Sequence, residues 1–178
     1  KAPPPGQPVE LRVTKTVFTL HKGAKLKTGV VPACSKAKLE DRGAAGCPKS
    51  DIGGGSATVI TGVSSLDPVK EDVKLFAKKN GILAYLTGLQ TQVIELGVDG
   101  RTISAKVPRI CLGGGTPEEG CPNGEAVLKK LTTKVDKVKT SKGKLVTTPP
   151  SCPASGNWKN KVKYTYSNGD TEKKTATS

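Results

Sequence analysis

The side chains of this chain that most readily take part in chemistry are those of five cysteines and one histidine. The cysteines are Cys34, Cys47, Cys111, Cys121 and Cys152, and the histidine is His21. Structural zinc sites usually supply cysteine or histidine ligands as closely spaced pairs such as C-x-x-C. No C-x-x-C occurs in the sequence, and His21 is far from every cysteine along the chain. The spacing therefore predicts no metal site and no cofactor.

A catalytic residue is equally hard to assign. A nucleophilic cysteine needs a histidine base, and His21 lies in a Leu-His-Lys-Gly turn that we expect at the surface. The sequence contains no H-E-x-x-H and no G-x-S-x-G motif. Asp51, Asp67, Asp72 and Asp99 lie in or beside predicted turns, where aspartate is common for structural reasons. We therefore expect no catalytic site and a protein that is not an enzyme.

Disulfide bonds explain the cysteine spacing better. Cys34 with Cys47, and Cys111 with Cys121, would each close a short loop, and proline follows the second cysteine of both pairs. A disulfide that closes a loop of this size contributes about 2–3 kcal/mol in the chain-entropy model. Other pairings stay open, because sequence alone does not set connectivity. Cys152 then has no partner in this set. Three alternatives are open for it: a free buried thiol, a disulfide to another chain, or a disulfide to a cysteine beyond Ser178.

The charge balance bears on the class of partner. The formal net charge is +14, and only four of the 29 basic residues are arginine. Arginine is the main reader of base edges, and single-strand binders stack bases on aromatic side chains, of which this chain has six. We therefore expect no specific nucleic-acid partner. The lysine excess fits either a soluble coat that protects strand edges or attraction to wall polymers, acidic glycans or anionic membranes.

The compartment is predicted from the cysteines and from the start of the chain. The sequence begins with Lys1 and Ala-Pro-Pro-Pro-Gly, which is typical of a mature N-terminus after signal-peptide removal, although a chain cut for expression would look the same. No apolar run reaches the roughly 18 residues of a membrane span. Disulfides persist in oxidising compartments. We expect a secreted, extracellular protein, with association to the cell surface as an option.

The first disulfide loop leads into the predicted sheet. Between Cys34 and Cys47, the run SKAKLED suits one or two helical turns with Ser35 as N-cap. The triple glycine at 53–55 then precedes an alternating strand pattern. A phosphate cradle would need a helix start and Gly-Lys-Ser/Thr after the glycines. We therefore expect close packing or a bulge there.

Turn signals divide the rest of the chain into strands. Asn80-Gly81 and Asp99-Gly100 predict hairpins over 69–87 and 91–107. The segment 126–139 fits both helical and strand spacing, and its Thr and Val content favours a strand. Further strands are predicted over 158–166 and, at a sheet edge, over 171–178. About nine strands with frequent turns predict an all-β sandwich or jelly roll, with the short helical turn in the disulfide loop.

The N-terminal segment has a pattern of its own. A proline-rich lead precedes a strand pattern over 9–20, which breaks near Lys15 as at a bulge. We predict two parts, an extended arm over 1–20 and a β-sandwich domain over 21–178. In one interpretation the strand leaves its domain and completes the sheet of a neighbour; in the other it is the first strand of its own sandwich. Its candidate donor face is formed by Val9, Leu11, Val13 and Val17.

Two stretches resemble a known group of proteins. Residues 33–57 follow the order C…L…G…C-P-x-S-x-I-G-x-G-x-A, and T-x-P-P-x-C-P at 147–153 is followed by Gly156, Trp158 and Gly169-Asp170. Both resemble uncharacterised secreted, disulfide-containing β-sandwich proteins of the actinobacterial type, over roughly the whole domain. The resemblance implies export and a β-rich fold, and no activity. Such proteins usually carry a late cysteine for the equivalent of Cys152, and none follows here.

These observations favour a structural role. We expect a subunit of an extracellular surface filament or fibre, formed by donation of the N-terminal strand to the next copy. A head-to-tail contact of this kind produces a homopolymer when it does not close into a ring. The alternative is a secreted binding module for anionic cell-wall or glycan polymers, favoured by the lysines. Sugar-binding platforms usually expose several aromatic side chains, and this chain has few.

Overall fold

The fold is all-β, as the sequence predicts, and contains one short α-helix. The computed structural model describes residues 12–61, 65, 67–112, 121 and 124–177. The helix α1 spans Lys36–Arg42, and 3-10 turns span Thr28–Val30, Gly43–Gly46 and Pro48–Ser50. The strands are β1 (Val13–Thr19), β2 (Lys25–Leu26), β3 (Asp51–Ile60), β4 (Val69–Lys78), β5 (Gly81–Thr87), β6 (Gln92–Asp99), β7 (Thr102–Lys106), β8 (Ile110–Cys111), β9 (Glu125–Val135), β10 (Lys139–Thr140), β11 (Gly143–Lys144), β12 (Val146–Thr147), β13 (Lys159–Tyr166) and β14 (Thr171–Thr177).

Ten of these strands form one antiparallel sheet in the order β14-β13-β1-β7-β6-β5-β4-β3-β9-β8. Two small ribbons, β10–β11 and β12–β2, complete the sandwich-like arrangement. Arg12, just before β1, forms an ion pair of 3.6 Å with Glu125 at the start of β9. Five strands separate β1 from β9 in the sheet order. The sheet therefore curls, so that distant members of its strand order approach each other.

Both predicted hairpins are confirmed. In the first, Lys78 of β4 is opposite Gly81 of β5, and Asn80 in the turn has a positive φ of 57°. Asparagine tolerates this left-handed conformation better than most residues do. In the second, Asp99 of β6 is opposite Thr102 of β7. The segment at 126–139 is also a strand over most of its length, because β9 pairs with β3.

The core lies on both faces of the sheet at β4 and β5. On one face, side chains of these strands pack against a layer from the small ribbons and their loops; the buried members are Leu26, Val30, Val31, Ile52, Ala57, Val73, Leu75, Ala77, Ile82, Ala84, Leu86 and Leu145. On the other face, Phe76 and Leu83 are buried under Leu39 of α1 and the Cys34–Cys47 disulfide. The centre of the sheet is therefore covered on both sides.

The helix in the disulfide loop begins where the sequence predicts. The Ser35 hydroxyl accepts a hydrogen bond from the backbone N–H of Lys38 at 3.3 Å, which satisfies one free donor at the helix start. Leu39 is fully buried beneath the helix. The cap and this apolar anchor explain why so short a helix forms, since a helix of this length is unstable alone in water.

The triple glycine lies inside β3, between β4 and β9. The β3–β4 register shifts between Asp51 and Gly53, which is a bulge. A Cβ atom on Gly53 would meet the backbone carbonyl of Lys134, and one on Gly55 would meet that of Thr132. The expectation of close packing and a bulge is confirmed, and the strand continues through the glycines without forming a phosphate cradle.

Burial falls away toward one end of the sheet. Strands β7, β1, β13 and β14 contain no buried residue. The strand β14 lies at the sheet edge, as the sequence predicts. These four strands therefore lie at the margin of the core, with half-buried or exposed side chains, and among them Ile103 of β7 packs against the core.

Candidate functional site

The strand β1 lies inside the sheet, between β13 and β7. Phe18 is opposite Val162 of β13 on one side and Ile103 of β7 on the other. Backbone hydrogen bonds continue beyond both ends of the strand: Leu20 N–H donates to Arg101 O at 2.9 Å, and Ser167 N–H donates to the carbonyl of Arg12 at 2.8 Å. In the single chain, β1 therefore pairs along its whole length with strands of the same chain.

This position makes β1 a bridge. Among the described strands, β13 pairs only with β1 and β14, and β14 pairs only with β13. The β13–β14 hairpin is thus attached to the rest of the sheet through β1. Without β1, a slot one strand wide would open between β7 and β13, bordered by the unpaired edges of both strands. We call this space the β1 slot.

The candidate donor residues do not share one face. Val9 and Leu11 lie outside the described residues. Val13 is opposite Tyr166, on the same face as Thr16 and Phe18, whereas Val17 is opposite Lys163 on the other face. The reason is a register shift between Val13 and Lys15, which reverses the alternation. The bulge was expected near Lys15, but a single apolar face for Val13 and Val17 was wrong.

The two faces of the sheet at β1 differ in character. One face carries apolar and aromatic side chains from three strands, namely Phe18, Ile103, Ala105, Val162 and Tyr164. The other face carries lysines from four strands, which we call the lysine face: Lys15, Lys106, Lys159, Lys161, Lys163 and Lys173. All six lysines are exposed.

On β7, β1, β13 and β14, no described position on the lysine side carries a carboxylate; on β6, next to β7, Asp99 is opposite Thr102, and Glu95 on the same side forms an ion pair with Lys78. The other described positions on the same side of β7, β1, β13 and β14 are Val17, Thr19, Thr102, Ser104, Thr165, Thr171, Thr175 and Thr177. None of the six lysines forms an ion pair with a described residue. By contrast, Lys174, on the opposite side of β14, lies 3.2 Å from Glu172. The positive charge on this face is therefore uncompensated by its own strands.

Like charges meet directly on this face. Lys15 of β1 is opposite Lys106 of β7, and Lys163 of β13 is opposite Lys173 of β14. Opposite residues of an antiparallel pair have Cβ atoms about 4.5–5.5 Å apart, and like charges placed there are destabilising. Lysine stems splay their ammonium groups to limit this cost. An anion bound above the face would remove the repulsion between these lysines.

Sequence reasoning missed this cluster, although part of the signal was present. Lys159, Lys161 and Lys163 alternate in the sequence, and a period of two places them on one side of a strand. The contributions of Lys15 and Lys106 depend on pairings between distant segments. Only the register of the folded sheet shows that those lysines join the same face.

The cysteines form the two short-range disulfides that their spacing favours. Bonds join Cys34 to Cys47 and Cys111 to Cys121, with Cα–Cα distances of 5.8 and 4.9 Å. Cys152 has no disulfide partner among the described cysteines and is exposed, so the first of the three alternatives, a buried thiol, is wrong, and the other two stay predictions. The two disulfides are compatible with an extracellular protein. Within the described ranges, no helix is long and apolar enough to cross a membrane.

His21 is half-buried and forms packing and hydrogen-bond contacts, although it was expected at the surface. Its ring lies against Trp158, with ring centroids 4.0 Å apart, and its backbone N–H donates to the Asn160 side-chain oxygen at 3.0 Å. The histidine therefore holds the start of β13 against the end of β1. In the part of the chain that the structure describes, no group of three His, Cys, Asp or Glu side chains is arranged to hold a metal.

Two carboxylates have environments that shift their acidity. Glu71 of β4 is 2% exposed, and burial raises its pKa, partly opposed by a hydrogen bond from the backbone of Leu89. The Tyr166 hydroxyl donates to Glu172 at 2.6 Å. This bond lowers the pKa of Glu172 and raises that of Tyr166. Both arrangements are explained by the packing of the sheet, without a reaction.

An open groove of about 620 Å³ lies on the α1 side of the sheet. Its lining includes the triple glycine and the carboxylates Asp51, Asp72 and Asp136, with Tyr85 at one wall. Comparison with known proteins finds no matching protein-family model, no matching curated protein and no matching solved structure. The function proposed for this chain therefore rests on the geometry described above.

Proposed function

We propose that this protein is an extracellular structural subunit that assembles into a surface filament or fibre by donating its N-terminal strand to the next copy. The observation that carries the proposal is the bridging position of β1, which alone connects the described β13–β14 hairpin to the sheet. The β1 slot is lined by strand edges on both sides. A β1 strand from a second copy would meet the same hydrogen-bonding groups there as the chain's own strand does.

An empty slot would be costly. It would leave the edges of β7 and β13 unpaired, and unpaired strand edges readily accept another chain. Own-strand and neighbour-strand pairing form the same contacts in the slot, as in domain swapping. The balance between them depends on protein concentration and on the short connection over residues 20–24, which sets the effective concentration of the chain's own strand.

The side chains of β1 favour its replacement in the slot by the β1 strand of a second copy. No residue of β1 is buried, and Phe18, its largest apolar side chain, is 38% exposed. Withdrawal of the strand therefore breaks mainly backbone hydrogen bonds and little apolar packing. Segments with few buried apolar contacts open at low free-energy cost compared with a core strand such as β5.

The buried core of the fold lies away from β1. The packed core lies at β4 and β5, and the Cys34–Cys47 disulfide holds α1 against that region. The second disulfide, Cys111–Cys121, holds the end of β8. Both bonds lie outside the slot, so the core can persist while a strand leaves or enters. Arg12, through its ion pair with Glu125, gives an incoming strand a defined register.

The test combines polymerisation with complementation. Concentrated native chain is examined by sedimentation and negative-stain microscopy beside Thr16→Pro, because proline in a central strand removes a ladder hydrogen bond. Thr16→Val is the matched control. We expect filaments from the native chain and from Thr16→Val, and none from Thr16→Pro.

A second variant separates loss of strand donation from misfolding of the Thr16→Pro chain. A chain that lacks residues 1–19 should fail to polymerise but should bind a synthetic peptide of residues 9–20 in its open slot, measured by fluorescence anisotropy. Filaments formed by the truncated chain alone would refute the proposal. A native chain that stays monomeric at every accessible concentration would refute it as well.

A further inference from the structure

The lysine face is a continuous track across four strands. Lys106 and Lys15 are opposite each other, Lys163 is one step diagonal from Lys15, and Lys173 is opposite Lys163. Lys161 and Lys159 extend the track along β13. Adjacent strands lie about 4.8 Å apart, and alternate residues of a strand about 6.7 Å apart. Neighbouring lysines of the track are therefore separated by about the length of one lysine side chain.

We propose that the lysine face binds a linear acidic polysaccharide, whose carboxylate or sulfate groups lie along this track. The inference goes beyond filament formation, because the face contains Lys15 whether β1 comes from the same chain or from a neighbour. Six exposed lysines, on four strands that present no described carboxylate on the same side, complement a polymer that presents many negative charges in a row.

The neutral residues between the lysines also fit a sugar polymer. Thr19, Ser104, Thr165 and Thr175 lie on the same face. Their hydroxyl groups both donate and accept hydrogen bonds, as the hydroxyls of a polysaccharide do. Stacking against a sugar ring would need an aromatic side chain, and this face has none among its described residues. Binding should therefore depend on the charge of the polymer.

The same composition argues against nucleic acid and membrane surfaces. The face has no arginine to read a base edge in bidentate fashion. Its neighbouring aromatic residues, Phe18 and Tyr164, lie on the opposite side of the sheet and cannot stack bases over it. Val17 is the one large apolar residue among the described positions of the face. A single valine gives little area to insert into a lipid surface.

The test measures binding at a protein concentration at which light scattering shows monomers, so that its outcome is independent of filament formation. The probes are fluorescent heparin, which carries sulfates, and polygalacturonate, which carries carboxylates, with dextran as the neutral control. We expect binding to heparin or to polygalacturonate, none to dextran, and a steep loss of affinity as salt concentration rises.

A matched pair of triple variants locates the site. One carries Lys15→Gln, Lys163→Gln and Lys173→Gln. The other has the same net charge and carries Lys49→Gln, Lys79→Gln and Lys142→Gln at exposed positions that are not among the six lysines of the face. Loss of three screened ion pairs should weaken binding by about tenfold in the first variant, and the second should bind nearly as well as the native chain.

Each alternative result overturns the proposal. Equal losses in both variants would mean that binding follows the net charge of the whole chain. Tighter binding of duplex DNA, or of vesicles of anionic phospholipid, than of either acidic polysaccharide at the same salt concentration would assign the face to a different partner. Failure to bind either polymer would leave the lysines as a solvated surface. Thermal unfolding of both variants checks that they are folded.

Discussion

Lys15 of β1 lies directly opposite Lys106 of β7, so the strand that bridges the two parts of the sheet meets one neighbour through a pair of like charges. An opposite-charge pair at such a position usually stabilises a sheet, and a like-charge pair destabilises it. The native sequence thus keeps a small destabilising contact at the one strand on which the attachment of the β13–β14 hairpin depends.

Lys15→Glu should therefore stabilise the folded chain. The new carboxylate would be opposite Lys106 and diagonal to Lys163, and we expect the free energy of unfolding in urea to rise by about 0.2–1 kcal/mol. Lys142→Glu, in an exposed turn, makes the same change in net charge and should have a smaller effect. An equal gain from Lys15→Glu in a Lys106→Ala background would show that the pair itself is not responsible.

Glu71 should make stability fall as pH rises. Its folded-state pKa is raised above 4.5 by burial, so the folded chain holds this proton over a pH range where the unfolded chain has lost it. The contribution to stability is complete below about pH 4.5 and is lost as pH rises through the higher folded-state value. Glu71→Gln should remove this loss and stabilise the chain at neutral pH.

The measurement is the difference in free energy of unfolding between Glu71→Gln and the native chain at several pH values. Other carboxylates cancel in this difference. Glu40→Gln, at an exposed position of α1, is the control and should show no such trend. A difference that stays constant from pH 4 to pH 8 would contradict a raised pKa for Glu71.

Tyr166→Phe should return the pKa of Glu172 toward 4.5. The Tyr166 hydroxyl donates to the ionised carboxylate and favours that form, with a smaller contribution from Lys174. The depressed pKa stabilises the β13–β14 hairpin above the unfolded value, and this contribution is lost as pH falls through the folded one. NMR titration of the Glu172 carboxyl group measures the change. An unchanged pKa in the variant would contradict the hydrogen bond.

Gly55→Ala should destabilise the chain by about 1–3 kcal/mol, since the added Cβ would collide with the backbone carbonyl of Thr132 in β9. Gly29→Ala is the matched control, because nothing lies within 4 Å of a Cβ built there, and we expect a change within about 0.5 kcal/mol. Urea denaturation measures both. Similar values for the two variants would show that β3 and β9 do not approach as closely as described.

Cys152 should react with a maleimide in the folded chain under non-reducing conditions. It is exposed, and the four other cysteines are paired in disulfides. Mass spectrometry should find one label on each chain and none on Cys152→Ser. A second label on the native chain would show that one of the disulfides is open.

The features of the fold that depend on short stretches of chain were predictable from sequence. Asn80-Gly81 and Asp99-Gly100 produce their hairpins through local turn geometry. The two disulfides join cysteines 13 and 10 residues apart. The helix start follows from Ser35 and its hydrogen bond to Lys38. In each case the interacting groups lie close together before the chain folds.

The candidate sites depend on contacts between distant segments. Thr16 pairs with Tyr164 and Ala105, and no local propensity specifies which strands will flank β1. The bulge between Val13 and Lys15 then decides which side chains share a face, because a shift of one residue exchanges the two faces of a strand. The lysine face could therefore be recognised only in part, from the alternation of Lys159, Lys161 and Lys163.

The uneven covering of the sheet has a mechanical consequence. At β4 and β5 both faces are packed, whereas β13 and β14 are held mainly by their backbone ladders. A pulling force applied to the C-terminal end would peel β14 and then β13 away one hydrogen bond at a time, while the disulfide-tied centre kept its shape. Under such a force the edge strands would separate gradually at low force, whereas the packed centre would keep its structure until a higher force is reached.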